Sequence, residues 1–224
     1  MQIGAEKSYD IHEIVGGTSL RAAFVELSYK AFNNNSLMLR AMSERFDTSK
    51  LHERGSSLKL ISKGVLTKGR MISFLSTHNR NLDLLYVEKI VDLYLLESSH
   101  EGINHDLAFV QMCHETGFMR FTGDVKASQF NFCGLGAIGN NEPGLSFNSA
   151  EEGIRAHIQH LKAYASLEEL SSTPVYNRIR FVKRGMAPSL HDLTGKWATD
   201  QLYGQKIESL LGKAYDGSFL LRGS

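Results

Sequence analysis

The chain is short of the features that mark specialised classes of protein. Among 224 residues there are two cysteines, three prolines and one tryptophan, and lysine plus arginine stand at 25 against 24 for aspartate plus glutamate. So even a charge balance leaves no basic field to gather nucleic acid or an anionic membrane, and the implied ligand is neutral or mixed in charge. No apolar run approaches the roughly 20 residues of a membrane helix. The start, MQIGAEKSYDIHE, lacks a charged-then-apolar export signal, so the chain as given reads as cytosolic. Cys113 and Cys133 read as two buried thiols packed as small hydrophobes, with a disulfide between helix end and following strand as the alternative.

The composition is otherwise that of an ordinary globular protein, 42% hydrophobic and 22% charged, enough to bury a core of its own. Residues 1–59 read as an N-terminal helical extension. Leu20, Phe24, Leu27 and Ala31 mark one helical face, and a second amphipathic piece runs from Leu37 to Phe46. Residues 60–224 form the main domain. Thr67 is placed to cap a helix KGRMISFLSTHN, and Asn81 or Asp83 to open a longer one with Leu85, Ile90, Val91 and Tyr94 inward. Gly102 interrupts before a third helix, which Asn104 caps and Thr116-Gly117 ends.

Glu115 falls in the last turn of that third helix. There the negative end of the helix dipole disfavours its ionised form, and Phe118 and Phe121 are placed to desolvate it. A protonated carboxyl on a rigid helix end suits general-acid chemistry; the alternative is a solvated helix-end glutamate. Beyond it, glycine-rich NFCGLGAI and LSF flank GNNEPG, which predicts a short β-hairpin or a loop of similar shape. Ser149-x-x-Glu152 reads as a capping box ahead of a helix with Ile154, Ile158, Leu161 and Ala165 on one face, and Pro174 closes that helical stretch. His157, His160 and Tyr164 share the neighbouring face. Histidines at i and i+3 suggest a metal, but no carboxylate or cysteine completes a ligand set, so hydrogen bonding beneath a groove or to a ligand is the preferred role. Arg178, Arg180, Lys183 and Arg184 read first as a solvated face. Thr199 or Asp200 caps a last helix that ends at Gly212.

CHETGF, NFCGLGA, GIRAHIQHLKAYA and KWATDQLYGQKI, in that order, resemble the glucosaminidase family of peptidoglycan hydrolases, glycoside hydrolase family 73. The resemblance spans Ile61 to Leu211. It implies a mainly α (α+β) chain with a lysozyme-like helical lobe, a short β-hairpin beside the active-site groove, and hydrolysis of the β-1,4 bond after N-acetylglucosamine. The family's acid maps onto Glu115. No cofactor is implied, and the expected partner is the peptidoglycan strand. Action there requires an extracytoplasmic location, so a signal or anchor is expected to be missing from the sequence as given; oligomeric state is left open.

In the family an asparagine-containing, glycine-bounded segment lines the sugar cleft, and Asn131 and Phe132 match its position. Tyr203 matches a tyrosine that orients the reacting sugar, and Trp197 aligns where many members carry tyrosine. With His160 and Tyr164 these residues make up the expected sugar-binding set, core packing being the alternative for Phe132 and Trp197. Many relatives have two asparagines before the aromatic pair, where this chain has Phe130-Asn131-Phe132-Cys133. Three second catalytic groups are open: Asp124, Glu142, or the substrate's own 2-acetamido oxygen. Asp124 is preferred to Glu142, whose place beside Pro143-Gly144 marks a solvent-exposed turn tip. The competing functions are a lytic transglycosylase and a non-catalytic glycan-binding module. Arg178 or Arg184 is a candidate contact for peptide or lactyl carboxylates.

Overall fold

The structure is a computed structural model that describes residues 58–137 and 144–216. The expected N-terminal helices at 20–31 and 37–46, and Glu142 with the GNNEPG turn, lie mainly outside these residues. Among the described residues are five α-helices, α1 (Lys68–His78), α2 (Leu84–Glu101), α3 (His105–Glu115), α4 (Ala150–Ala165) and α5 (Tyr203–Asp216), with short 3-10 turns between them. Among the same residues, paired extended chain is confined to isolated bridges, such as Ile61 with Ile103. The chain is mainly α.

Local chemistry sets the helix boundaries. Thr67 Oγ1 accepts from Arg70 N at 3.3 Å, Asp83 Oδ1 from Tyr86 N at 2.9 Å, and Asn104 Oδ1 from Asp106 N at 3.0 Å. Each satisfies a backbone N–H that the first helical turn leaves without a partner. Ser149 Oγ accepts from Glu152 N at 3.2 Å, but Glu152 reaches back to Asn148 N at 3.0 Å, one residue beyond the reciprocal partner expected. Two boundaries differ from expectation. α4 stops at Ala165, ahead of Pro174, and α5 runs through Gly212 to Asp216, because one glycine costs a helix only about 1 kcal/mol. On α2 the inward residue of the first turn is Val87, fully buried, while Leu85 is exposed.

α3 lies at the centre, packed against α2, α4 and α5. Its residues from Asp106 to Cys113 are all buried. Burial of Phe109, Val110 and Met112 contributes roughly 1.5–3 kcal/mol each. Polar ties hold neighbouring segments in register with it. The buried Asp106 carboxylate accepts from Val65 N at 2.7 Å, Leu66 N at 2.9 Å and Tyr215 OH at 2.7 Å, joining the entry segment and α5 to α3. Arg155 of α4 forks onto the buried Glu97 of α2 at 3.1 and 2.9 Å. α4 also comes against the loop after α3: a Cβ at Gly153 would sit 1.7 Å from Phe130 O, so only glycine fits. Cys113 and Cys133 are free and buried.

No paired strands form on either side of residues 138–143 among the described residues. Leu145 N donates to Leu135 O at 2.8 Å and Phe147 N to Gln129 O at 2.9 Å, without a continuing ladder. In place of a hairpin ladder, the Asn131 side chain braces the loop.

Candidate active site

Glu115 is the last residue of α3, and Gln111 lies one turn earlier on the same face. Tyr203, the first residue of α5, donates its hydroxyl to Glu115 Oε1, and the Trp197 side chain also hydrogen-bonds the carboxylate. Gly134 turns past the other oxygen in the left-handed region, φ 71°, where a Cβ would stand 3.9 Å from Oε2. Burial raises the Glu115 pKa, and the hydrogen bonds from Tyr203 and Trp197 partly oppose it. Tyr203 is itself raised far above an ordinary phenol, first by burial and then by Glu115, so it keeps its proton and remains a donor.

Behind Tyr203 runs a buried chain of hydrogen bonds with one direction. Gln111 Nε2 donates to Tyr203 OH at 2.7 Å. His157 Nε2 pairs with Gln111 Oε1 at 3.0 Å, and Tyr94 OH with His157 Nδ1 at 2.9 Å. For every member to be satisfied, Tyr94 donates to Nδ1, the imidazole is the neutral Nε2–H tautomer, and each donor points towards Glu115. Burial, with His160 nearby, lowers the His157 pKa to about 3, which keeps the ring neutral.

The turn leaving Glu115 is strained. Phe118, Met119 and Phe121 take φ of 58°, 60° and 49°, values that L-residues rarely adopt. Several bonds hold them there. Thr116 Oγ1 donates to Met112 O at 2.7 Å and accepts from Met119 N at 2.8 Å, while Asn79 Nδ2 donates to Phe118 O at 2.9 Å. The Phe118 ring stacks on His78 at 4.2 Å. Each left-handed residue costs of order 1 kcal/mol, which the surrounding bonds offset.

On the other side of Trp197 is an aromatic cluster. Its ring lies 5.0 Å from His160 and 5.8 Å from Tyr164, centroid to centroid. Tyr176 OH pairs with His160 Nδ1, and burial lowers the His160 pKa to about 4. Tyr164 OH donates to Lys196 O at 3.1 Å.

Thus Glu115, Trp197 and Tyr203 come together, with His160 and Tyr164 next to them. Asn131 and Phe132 do not present to that surface. Asn131 is buried, its Nδ2 on Leu135 O at 2.9 Å and Leu145 O at 3.0 Å, its Oδ1 on Leu135 N at 3.0 Å. Phe132 is 1% exposed, with Phe121 at 6.1 Å between centroids. These two residues brace the loop from within the protein. Asp124 lies half-buried in the loop after the strained turn, with no hydrogen bond or ion pair among the described residues. Sequence reasoning misses Gln111, Tyr94 as a donor, and Tyr176. A glutamine one helical turn before a candidate acid is the signal available for the first.

The sequence pattern of the Glucosaminidase family, described as mannosyl-glycoprotein endo-beta-N-acetylglucosaminidase, matches residues 91–216, which include every hydrogen-bonding group from Tyr94 to Tyr203. The chain belongs to the glucosaminidase family. As a glucosaminidase it is a glycoside hydrolase, of a family acting on peptidoglycan glycan. An uncharacterized protein of Borreliella burgdorferi is 41% identical to this glucosaminidase over 187 residues, which is 78% of this chain and 92% of that protein. No solved structure matches it. No helix among its described residues is long and apolar enough to cross a membrane.

Proposed function

We propose that the glucosaminidase is an endo-β-N-acetylglucosaminidase that hydrolyses the β-1,4 bond between N-acetylglucosamine and N-acetylmuramic acid, with Glu115 as general acid. The observation that carries this reading is the Glu115 carboxyl itself: at a helix end, raised in pKa by burial, and fixed by a phenol that stays protonated. A carboxyl that retains its proton nearer to neutrality can deliver it to the glycosidic oxygen as the bond to the anomeric carbon breaks. Tyr203 and Trp197 then stabilise the carboxylate left behind and limit how high the pKa rises. Action on this polymer places the enzyme outside the cytoplasm.

The group facing the acid is Asp124, Glu142 or the sugar's 2-acetamido oxygen. Asp124→Asn and Glu142→Gln separate them: loss of turnover in one variant assigns that carboxylate, and turnover retained in both assigns the acetamido group.

The main test is mass spectrometry of borohydride-reduced products from purified peptidoglycan, digested by wild type and by Glu115→Gln. Reduced N-acetylglucosamine ends from wild type alone support the reading. Anhydro-muramic ends indicate a lytic transglycosylase, and reduced muramic ends a muramidase. A fully active Glu115→Gln removes Glu115 from the mechanism.

A further inference from the structure

We propose that the cavity between the loop at Leu135–Gly136 and the segment Tyr176–Met186 is a subsite for a carboxylate-bearing substituent on the glycan, and that it makes the enzyme prefer anionic over neutral N-acetylglucosamine polymers. The inference rests on the glucosaminidase reading and refines its substrate class.

Position is the first argument. The cavity, of about 380 Å³, is lined in part by His160 and Tyr164. Both pack on Trp197, whose side chain hydrogen-bonds Glu115. A sugar at the acid is therefore one aromatic ring away from the cavity, within reach of a substituent on that sugar or its neighbour.

Charge is the second. Among the described residues the lining holds Arg178, Lys183 and Lys196 and no aspartate or glutamate. Lys196 Nζ is engaged with Asp192 O at 2.9 Å. Arg178 and Lys183 have no acidic partner among the described residues. The Arg178 guanidinium is held at the cavity wall, its Nη1 3.5 Å from where a Cβ on Gly136 would lie and close enough to Tyr176 to favour that phenol's ionised form. A neutral glycan brings no counter-charge to either cation, whereas a carboxylate forms a charge-assisted pair with a guanidinium.

Apolar surface is the third. Phe181 is 72% exposed and Met186 39% exposed, yet both line the cavity. The combination suits a group carrying methyls as well as carboxylates. Two sources share that chemistry: the lactyl acid of an unsubstituted muramic residue, and the carboxylates of a short peptide attached to it.

The test compares wild type with Arg178→Gln, Lys183→Gln and the double variant. Both residues are exposed, so substitution leaves the fold intact, which thermal melting verifies. The substrates are peptide-bearing glycan strands, strands stripped of peptide by an amidase, and neutral chito-oligosaccharides of equal length. The readout is the ratio of kcat/KM on anionic to neutral substrate, which should fall about tenfold to a hundredfold in the double variant. A larger fall on peptide-bearing strands assigns the peptide carboxylates, and a larger fall on stripped strands the lactyl acid. An unchanged ratio, or an equal loss on all three substrates, overturns the proposal. Calorimetric binding of the same glycans to Glu115→Gln gives the ratio without turnover. If wild type cleaves none of them, the glucosaminidase reading fails, and the binding ratio still decides the subsite.

Discussion

The two sides of Glu115 are built on opposite electrostatic plans. Inward, through Tyr203, Gln111, His157 and Tyr94, every group is neutral, buried and paired, and the influence on the carboxyl comes from aligned dipoles. Outward, beyond Trp197, the cavity is open, partly apolar and cationic. Dipoles fixed in a low-dielectric interior tune a proton without a net charge to desolvate, whereas exposed cations attract a ligand but are screened by salt. The arrangement separates setting the acid from choosing the substrate.

The largest test of this division is Glu115→Gln, expected to lower kcat by about 10²–10⁴-fold in a reducing-end assay. Because burial raises the Glu115 pKa, ionising this carboxyl near neutral pH costs stability, so the variant should melt no lower than wild type. Tyr203→Phe comes next, with an expected loss of roughly 10- to 100-fold in kcat. It also removes a hydrogen bond that lowers the acid's pKa, so the alkaline limb of the pH–rate profile should move to higher pH; a limb that stays put would detach Tyr203 from the acid. Gln111→Leu strands the His157 N–H in the interior and removes the bond that the Tyr203 oxygen accepts, while that hydroxyl still donates to Glu115. It should cost roughly 1–3 kcal/mol by denaturant titration.

A pH dependence of stability compares the two histidines. His157 and His160 have folded pKa values of about 3 and about 4, below the 6.5 of a free imidazole. From pH 6.5 downward the unfolded chain takes up protons that the folded chain refuses. Stability should therefore fall with decreasing pH, by up to roughly 1.4 kcal/mol per pH unit for each histidine, and be insensitive to either above pH 7. His157→Gln and His160→Gln should each flatten part of the slope between pH 4 and 6.5.

Much of the helical frame is legible from local rules. Thr67, Asp83, Asn104 and Ser149 cap the helices that the sequence assigns to them, and Gly102 ends α2 in the left-handed conformation. The position of Glu115 needs only its helix end. The turn beyond Glu115 is less readable, because its conformation depends on distant partners: Phe118 is held at a positive φ by Asn79, thirty-nine residues earlier in the chain. Asn131 illustrates the same limit. Residue type and position fit a sugar contact, and only the fold shows its amide consumed by Leu135 and Leu145. Gln111 is hidden by its ordinary place in an apolar helix. Its significance appears when Tyr203 and His157, ninety-two and forty-six residues away, arrive on either side of it.

The one-way order of the buried hydrogen bonds gives the enzyme a built-in spectroscopic gauge. While Glu115 is ionised it accepts from Tyr203, and the succession of donors requires His157 to carry its proton on Nε2. Protonation of Glu115 weakens the acceptor that orients the row and adds an O–H donor at its end, and a row reversed by that donor would place the proton on Nδ1. The ¹⁵N resonances of a single imidazole, three hydrogen bonds from the carboxyl, would then follow its titration in the resting enzyme.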